Sequence, residues 1–408
     1  MPQQADNNKR HIIIFALITA LCLFGDSMLY IVLPVHSSEA GFTSLWQVGV
    51  ILSVNRIVRL PLNPCIGWFY RHISERTGII IAIVLATLTT VSYGFLQDFT
   101  FWILARCAWG VAWTLLRLGS LFCILRLSTQ ANRGHYTGLY NGLYRLGSLV
   151  GMFVGGLLAD SVGLKVTGLV FGAATILALI LAIVYIPRGS AEQAENTSGG
   201  GLLEGFSIIV RERGIFWMVL SGGVVALVIQ GVIASTLSRL IGVHTGGDIT
   251  FGAIVIGAST LGGFFQALRW GWEPWLAPYT GKLADTRFGW RLMYCYASAA
   301  SALFFSSLAL SLPLPLWFAC ILGMLLTATA LTTIADMAAS DTAASIGGGV
   351  GGRRLLMNYA LMLDVGSAIG PLAAYGLNAV LGINAVYAAC GMLLLGLCIF
   401  WRSHKEGT

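Results

Sequence analysis

Residues 281–291 read Gly-Lys-Leu-Ala-Asp-Thr-Arg-Phe-Gly-Trp-Arg, a polar hinge that follows a long apolar run. Residues 67–76 read Gly-Trp-Phe-Tyr-Arg-His-Ile-Ser-Glu-Arg and follow another. Setting Gly67 against Gly281 also aligns Pro64 with Pro278, Leu62 with Leu276 and Arg59 with Glu273. Further along, Gly147-x3-Gly151 aligns with Gly366-x3-Gly370. The chain therefore reads as one plan written twice in the same orientation, a parallel internal repeat.

Working outward from the two hinges, apolar runs lie near 11–35, 44–70, 77–97, 99–126, 135–158 and 166–187, then near 214–242, 249–279, 290–311, 314–338, 353–378 and 383–402. Of 408 residues, 57% are hydrophobic and 10% charged, against about 25% charged in a soluble protein. A membrane-crossing helix needs roughly 20 apolar residues, so twelve would use about 240 to 290 and leave only short connections. That excludes an ordinary soluble enzyme, a disulfide scaffold and a disordered chain. The expectation is an all-α membrane protein of twelve transmembrane helices in two pseudo-symmetric six-helix bundles, 1–187 and 214–408. Residues 188–213 between them read as a cytoplasmic linker ending in an amphipathic segment.

Orientation follows from the basic residues. With the N-terminus inside, the inner segments hold sixteen Lys and Arg, from Lys9 and Arg10 to Arg402 and Lys405, whereas the outer loops hold Lys165, with Arg239 near a helix end. The positive-inside rule then places both termini in the cytoplasm of a cell bounded by this inner membrane. Lys9 and Arg10 precede a run too long for a signal peptide, which reads as a first membrane helix. The net charge of +7 is spread over loops, without the continuous basic stripe that nucleic acid requires. The eight cysteines include no C-x-x-C pair and the six histidines are scattered, so no metal or disulfide framework is expected. No G-x-x-x-x-G-K-[ST] occurs, so the chain carries no ATPase of its own. The expected partners are the lipid bilayer and a small molecule, the chain acting as a monomer.

The motifs resemble those of the major facilitator superfamily. The segment Gly281, Asp285, Arg287, Gly289, Arg291 is similar to that family's loop signature G-x-x-x-D-R-x-G-R-R, with one extra residue after Asp285. In the first half Gly67 keeps its place, but Arg71 stands where the resemblance expects Asp. Arg106-x3-Gly110 resembles the family's R-x-x-x-G signature, whose Arg is associated with proton coupling. Gly138, Gly147, Gly151, Gly155 and Gly156 fit the glycine spacing associated with antiporters, with Met152 where that pattern has Pro. Gly366, Gly370 and Pro371 echo it in the second half, with the Pro present. The plainer reading of these glycines is close helix packing.

Charges inside apolar runs cost roughly 2.5 to 3.5 kcal/mol each on insertion scales, so they face a cavity or a partner. Arg56 and Arg59 share a helix face, as do Arg106 and Arg117 and the pair Asn141 and Arg145. Arg56, Arg59, Arg117 and Arg145, with Asn141 and Trp113, are the candidate substrate cavity, because guanidinium groups grip carboxylate or phosphate bidentately. Asp26, Arg106, Glu273 and Asp364 are the proton-coupling candidates, with Asp26 placed opposite Arg106. Arg59 aligns with Glu273 and Arg145 with Asp364. In the fold the resemblance implies, Arg59–Asp364 and Arg145–Glu273 become bridges that form in one access state and break in the other. Plainer readings stand beside these: Glu273 pairs with Arg269 one turn away, Arg145–Glu273 is a permanent brace, Arg117 snorkels to the interface, and Asp336 is a helix-end charge. Trp109, Trp270, Trp272 and Trp275 line a cavity or sit at the membrane interface.

The expected function is secondary active transport of a small organic anion or zwitterion by alternating access, with protons as coupling ion and export as direction. Metal-chelating metabolites and amphiphilic compounds fall in that class. Uptake of an organic anion, or multidrug efflux centred on Asp26, are the alternatives within transport. A non-transporting membrane sensor is the alternative outside it, and no nucleophile–base pair points to an enzyme.

Overall fold

A computed structural model of the chain describes residues 2–129, 132–186, 213–251, 254–284, 289–345 and 350–403. The linker expected at 188–213, apart from Arg213, and the hinge residues Asp285 and Arg287 lie outside these residues. The helices are α1 (Pro2–Val32), α2 (Leu45–Phe69), α3 (Glu75–Ser92), α4 (Phe99–Leu127), α5 (Arg133–Tyr185), α6 (Arg213–Ala226), α7 (Ala234–Thr245), α8 (Ala258–Leu283), α9 (Trp290–Leu308), α10 (Leu314–Ser345), α11 (Val350–Leu381) and α12 (Ile383–Ser403). A π-helical stretch, Leu227–Ile233, joins α6 to α7. Eight of the described helical stretches are long and apolar enough to cross a membrane, whereas α2, α8 and α9 fall outside that set.

Helix starts in the first half follow from short polar residues. The Gln47 side chain accepts from the amides of Thr43 and Ser44 at 2.9 and 3.1 Å, Ser74 Oγ from Thr77 at 3.2 Å, and Asp98 from Thr100 at 2.8 Å. Each satisfies amide groups that the first turn leaves without a helical partner.

One expectation changes in detail, that for the run at 249–279. The runs at 135–158 and 166–187 form two helical arms, labelled together as α5, that meet at Gly163 with φ 80° and ψ 170°, a conformation that suits a residue without Cβ. The two arms of α5 pack on different helices: Gly147 and Gly151 face the backbone of Ala20 and Phe24 in α1, and Gly168 and Gly172 face Gly94, at the end of α3, and Val91 in α3. The run at 249–279 opens as a β-hairpin rather than a helix. Ile249–Phe251 (β1) pairs antiparallel with Ile254–Ile256 (β2), Ile249 opposite Ile256. Gly246 and Gly247, at φ 72° and 123°, end α7, and the β-branched residues that follow favour extended backbone.

Contacts divide the chain into two compact units, Met1–Thr197 with Gly247–Ala267, and Ser198–Gly246 with Leu268–Thr408. In the first, Tyr70 is wedged between Gly78 of α3 and Gly119 of α4 and donates to the Leu115 carbonyl at 2.8 Å. Around it pack Ile79, Ile83, Trp109, Leu115, Leu116 and Ile124. In the second, α11 lies backbone-to-backbone on α6 and the π stretch: Gly366 faces the Gly223 carbonyl and Gly370 faces Gly231. Tyr375 of α11 donates to the Ser235 carbonyl at 2.6 Å. Gly147 and Gly151 against α1, and Gly366 and Gly370 against α6 and the π stretch, are the same device used once in each repeat.

Candidate functional site

The first unit brings Asp26 and Arg106 together. Arg106 is fully buried in α4, and its Nη1 donates to Asp26 Oδ1 of α1 at 2.6 Å, where the Asp26 side chain is 13% exposed. Arg106 Nε donates to the Ile51 carbonyl of α2 at 3.1 Å and Nη1 to the Tyr93 hydroxyl at 3.3 Å. Asn55 of α2 donates to the same Asp26 oxygen at 3.3 Å. The Tyr93 ring lies parallel to Trp102 with centroids 5.2 Å apart. Close approach is allowed by Gly25, where a Cβ would collide with Thr90, and by Gly110, where it would stand 3.1 Å from the Asn55 carbonyl. Arg106 Nη2 and Asn55 Oδ1 are buried without a hydrogen-bond partner.

A row of arginines and aromatic rings continues from it. Arg56 Nε donates to the Tyr30 hydroxyl at 3.0 Å, one turn beyond Asp26 on α1. The Arg59 guanidinium sits 5.9 Å from the centre of the Trp113 ring. Trp113 meets Tyr144 of α5 edge to face at 5.9 Å, and Arg117 Nη1 donates to the Tyr144 hydroxyl at 3.0 Å. Two helices, α2 and α4, thus carry arginines whose guanidinium groups meet rings or a tyrosine hydroxyl. Arg117 and Arg145 are exposed and Asn141 half-buried, on the same unit. An exposed cation at mid-helix faces water or a partner rather than hydrocarbon.

In the second unit, Glu273 is half-buried on α8, one turn from Arg269, which is buried with its guanidinium 5.6 Å from the Trp270 ring centre. Trp272 donates to Thr329 of α10 at 3.2 Å. Asp364 is exposed on α11. Asp336 accepts from the Tyr359 hydroxyl at 2.8 Å, which ties α10 to α11. Arg59 and Arg145 belong to the first unit, Glu273 and Asp364 to the second.

At the hinges, Gly67 and Gly281 have open space where a Cβ would stand, and Arg71 is exposed. Gly289, at φ 72°, precedes α9 and donates its amide to the Ala284 carbonyl at 2.9 Å; Arg291 lies 5.3 Å from the Trp290 ring centre. In the first hinge an acidic residue other than the expected one makes the ion pair: Glu75 binds Arg126 of α4 at 2.7 Å. Of the remaining glycines, Gly155 faces Met28 and Gly156 faces the Ser259 carbonyl, whereas Gly138 faces open space. Pro371 lies within α11. The packing role holds for all of this group except Gly138.

Sequence reasoning missed Tyr30, Tyr93 and Tyr144, polar partners of the arginines, and Asn55, which donates to Asp26. Their spacing carried a weak signal: Tyr30 is one turn after Asp26, and Tyr144 immediately precedes Arg145.

Eight of the described helical stretches are apolar and long enough to cross a membrane, and an ion pair lies buried between two of them. The chain belongs to the Major Facilitator Superfamily, whose family model matches residues 15–360. An uncharacterized transporter of that superfamily from Methanocaldococcus jannaschii is 21% identical over 178 residues, 44% of this chain and 46% of that protein. The probable vesicular acetylcholine transporter-B of Danio rerio is 24% identical over 204 residues, 47% of this chain and 41% of that one. The human chromaffin granule amine transporter is 27% identical over 154 residues, 37% of this chain and 29% of that protein. The matches thus span less than half of these relatives' length. Among solved structures, the nucleoside transporter NupG superposes with a TM-score of 0.77 at 12% identity, over 98% of this chain and all of that one. A bacterial homologue of the human lysosomal transporter Spinster, inward-facing and unoccupied, gives 0.68 at 14% identity, over 97% of this chain and 95% of that one. These likenesses establish the fold.

Proposed function

We propose that this transporter moves a small organic anion or zwitterion across the cytoplasmic membrane, by alternating access and in exchange for protons, in the direction of export. The observation that carries the reading is the buried Asp26–Arg106 pair beside the row of Arg56, Arg59 and Arg117. The row binds substrate. The pair is the proton switch: when Arg106 leaves Asp26, a carboxylate remains without its counter-charge in a site of low polarity, and a proton neutralises it. Arg59–Asp364 and Arg145–Glu273 act as bridges made in one access state only. Two six-helix bundles, 1–187 and 214–408, joined by the linker 188–213, move about this site, with both termini cytoplasmic.

The test is flux into proteoliposomes with an imposed pH gradient. The account expects Asp26→Asn to lose proton-driven accumulation while keeping exchange of labelled for unlabelled substrate. Proton-driven accumulation that survives in Asp26→Asn overturns the proton role. A second reading is favoured by the acetylcholine and amine transporters among the relatives: a cationic amine whose counter-charge is Asp26. It predicts binding that survives loss of Arg59 and fails without Asp26.

A further inference from the structure

Beyond the Asp26 centre, a second ionic cluster lies at the far end of the first unit, on the side the basic-residue pattern assigns to the exterior. His36, in the turns after α1, has both ring nitrogens engaged by carboxylates: Nδ1 to Glu39 Oε1 at 2.7 Å and Nε2 to Asp160 Oδ1 at 2.9 Å. An ionised carboxylate only accepts, and a neutral imidazole has one N–H, so this arrangement requires the imidazolium. Each carboxylate is committed further. Glu39 Oε2 accepts the Leu164 amide at 3.0 Å, just past the Gly163 break in α5. Asp160 Oδ2, on α5, accepts both the amide and the hydroxyl of Thr260 at 2.7 Å. Thr260 is in the first turn of α8, whose amides have no helical partner, so Asp160 caps α8 from another helix.

Backbone contact supports the same junction. A Cβ on Gly257 would strike Asp160, on Gly156 the Ser259 carbonyl, and on Gly263 the Met152 carbonyl. The start of α8 is thus pressed on α5, and His36 fixes the carboxylate that joins them.

We propose that His36, Glu39 and Asp160 form a proton-operated latch that holds the start of α8 on α5 while His36 is charged and releases it when His36 loses its proton. The latch is a protonation site distinct from Asp26 and holds for any substrate. The groups around it are few. On its own segment stands Glu39; α5 contributes Asp160, and Lys165, whose ammonium lies 5.1 Å from the Phe95 ring centre. The segment before α4 contributes Gln97, which donates to the Glu39 carbonyl, and Asp98, which is engaged by the Thr100 amide. The start of α8 offers only the neutral Ser259 and Thr260, and Asp248 precedes the hairpin.

Burial disfavours the charged imidazole, but the hydrogen bonds and charges of Asp160 and Glu39 outweigh it and hold the His36 pKa above its ordinary value. Burial likewise opposes the Glu39 charge, and the His36 bond and the Leu164 amide outweigh it, so the Glu39 pKa lies below its ordinary value. A raised histidine pKa stabilises the latched form below the ordinary histidine value, and that contribution is lost as pH rises through the raised one. The Glu39 contribution is present above the ordinary carboxylate value and is lost as pH falls through the depressed one. The latch is therefore closed in mild acid and opens towards alkaline pH.

The experiment places spin labels at Leu157 of α5 and Val255 of β2, both exposed, with the cysteines that are not buried, Cys65, Cys107, Cys295 and Cys398, replaced by Ser. The labelled full-length protein is reconstituted in nanodiscs, and distance distributions are recorded from pH 5 to 9. The ratio of short to long distances should fall about tenfold for each pH unit of coupling between His36 ionisation and latching. His36→Gln should favour the long distance at every pH. His36→Arg, charged throughout, should hold the short distance at every pH and so controls for folding. A flat profile in the parent protein, or a pH dependence that persists in His36→Gln, overturns the proposal. Neither result bears on Asp26, whose failure would show only in the flux assay.

Discussion

Replacing Asp26 by Asn removes one charge and almost no volume, and the structure sets what that should cost. Arg106 is 0% exposed, whereas the Asp26 side chain keeps 13%. Without the carboxylate charge, Arg106 retains only neutral acceptors, the Ile51 carbonyl and the Tyr93 hydroxyl. Breaking a buried pair from one side costs about 3–5 kcal/mol, roughly two to nearly four orders of magnitude in the folding equilibrium. Removing the other partner, as Arg106→Gln, leaves a carboxylate with some access to water and with the Asn55 amide, so it should cost less. The double variant leaves polar but uncharged groups and should cost about 1–3 kcal/mol. Reversible unfolding of purified protein in mixed micelles of rising denaturing-detergent fraction measures all three. The cycle should show a coupling of at least about 1.5 kcal/mol. Single costs that add to within about 0.5 kcal/mol, or a larger cost for Arg106→Gln than for Asp26→Asn, would refute the argument that Arg106 depends on Asp26 for its charge.

Three further outcomes are expected. Gly147→Leu, which drives a side chain into the Ala20 backbone, should cost 1–3 kcal/mol or more and abolish a monodisperse elution peak, whereas Gly138→Ala, with open space around it, should elute like the parent. Cysteine pairs at Arg59/Asp364 and at Arg145/Glu273 should crosslink in one access state and not the other, and yields unchanged by ligand and pH would count against gating bridges. Glu75 and Arg126 are 24% and 44% exposed, so Glu75→Gln should cost under about 1 kcal/mol, a loss that shrinks further in high salt.

What the sequence made legible is what has a period or a length. The apolar runs are lengths, and Gly147-x3-Gly151 with its echo at Gly366 and Gly370 is a spacing whose packing role needs no knowledge of the partner helix. The opposition of Asp26 and Arg106 was readable because charges within apolar runs are few and each needs a neighbour. The hydroxyl partners were not readable, since Tyr30, Tyr93 and Tyr144 look like any aromatic residue in an apolar run until the helices are assembled. His36 and Asp160 are far apart in sequence, and only the turn after α1 brings them together. The ion pair of Glu75 in the first hinge was hidden because it reaches to Arg126 on another helix. The β-hairpin at Ile249–Ile256 escaped because a run of β-branched residues next to a helix has the same hydropathy as the helix itself.

The central claim is that the arginine row binds an anion, and a ligand-stabilisation screen on the purified protein tests it most directly. Organic anions, organic cations and lysolipids would be compared by thermal unfolding, in the parent and in Arg59→Ala. The account predicts stabilisation by organic anions that is lost in Arg59→Ala. Stabilisation by lipophilic cations alone, unchanged in Arg59→Ala, would contradict it and move the binding site to Asp26.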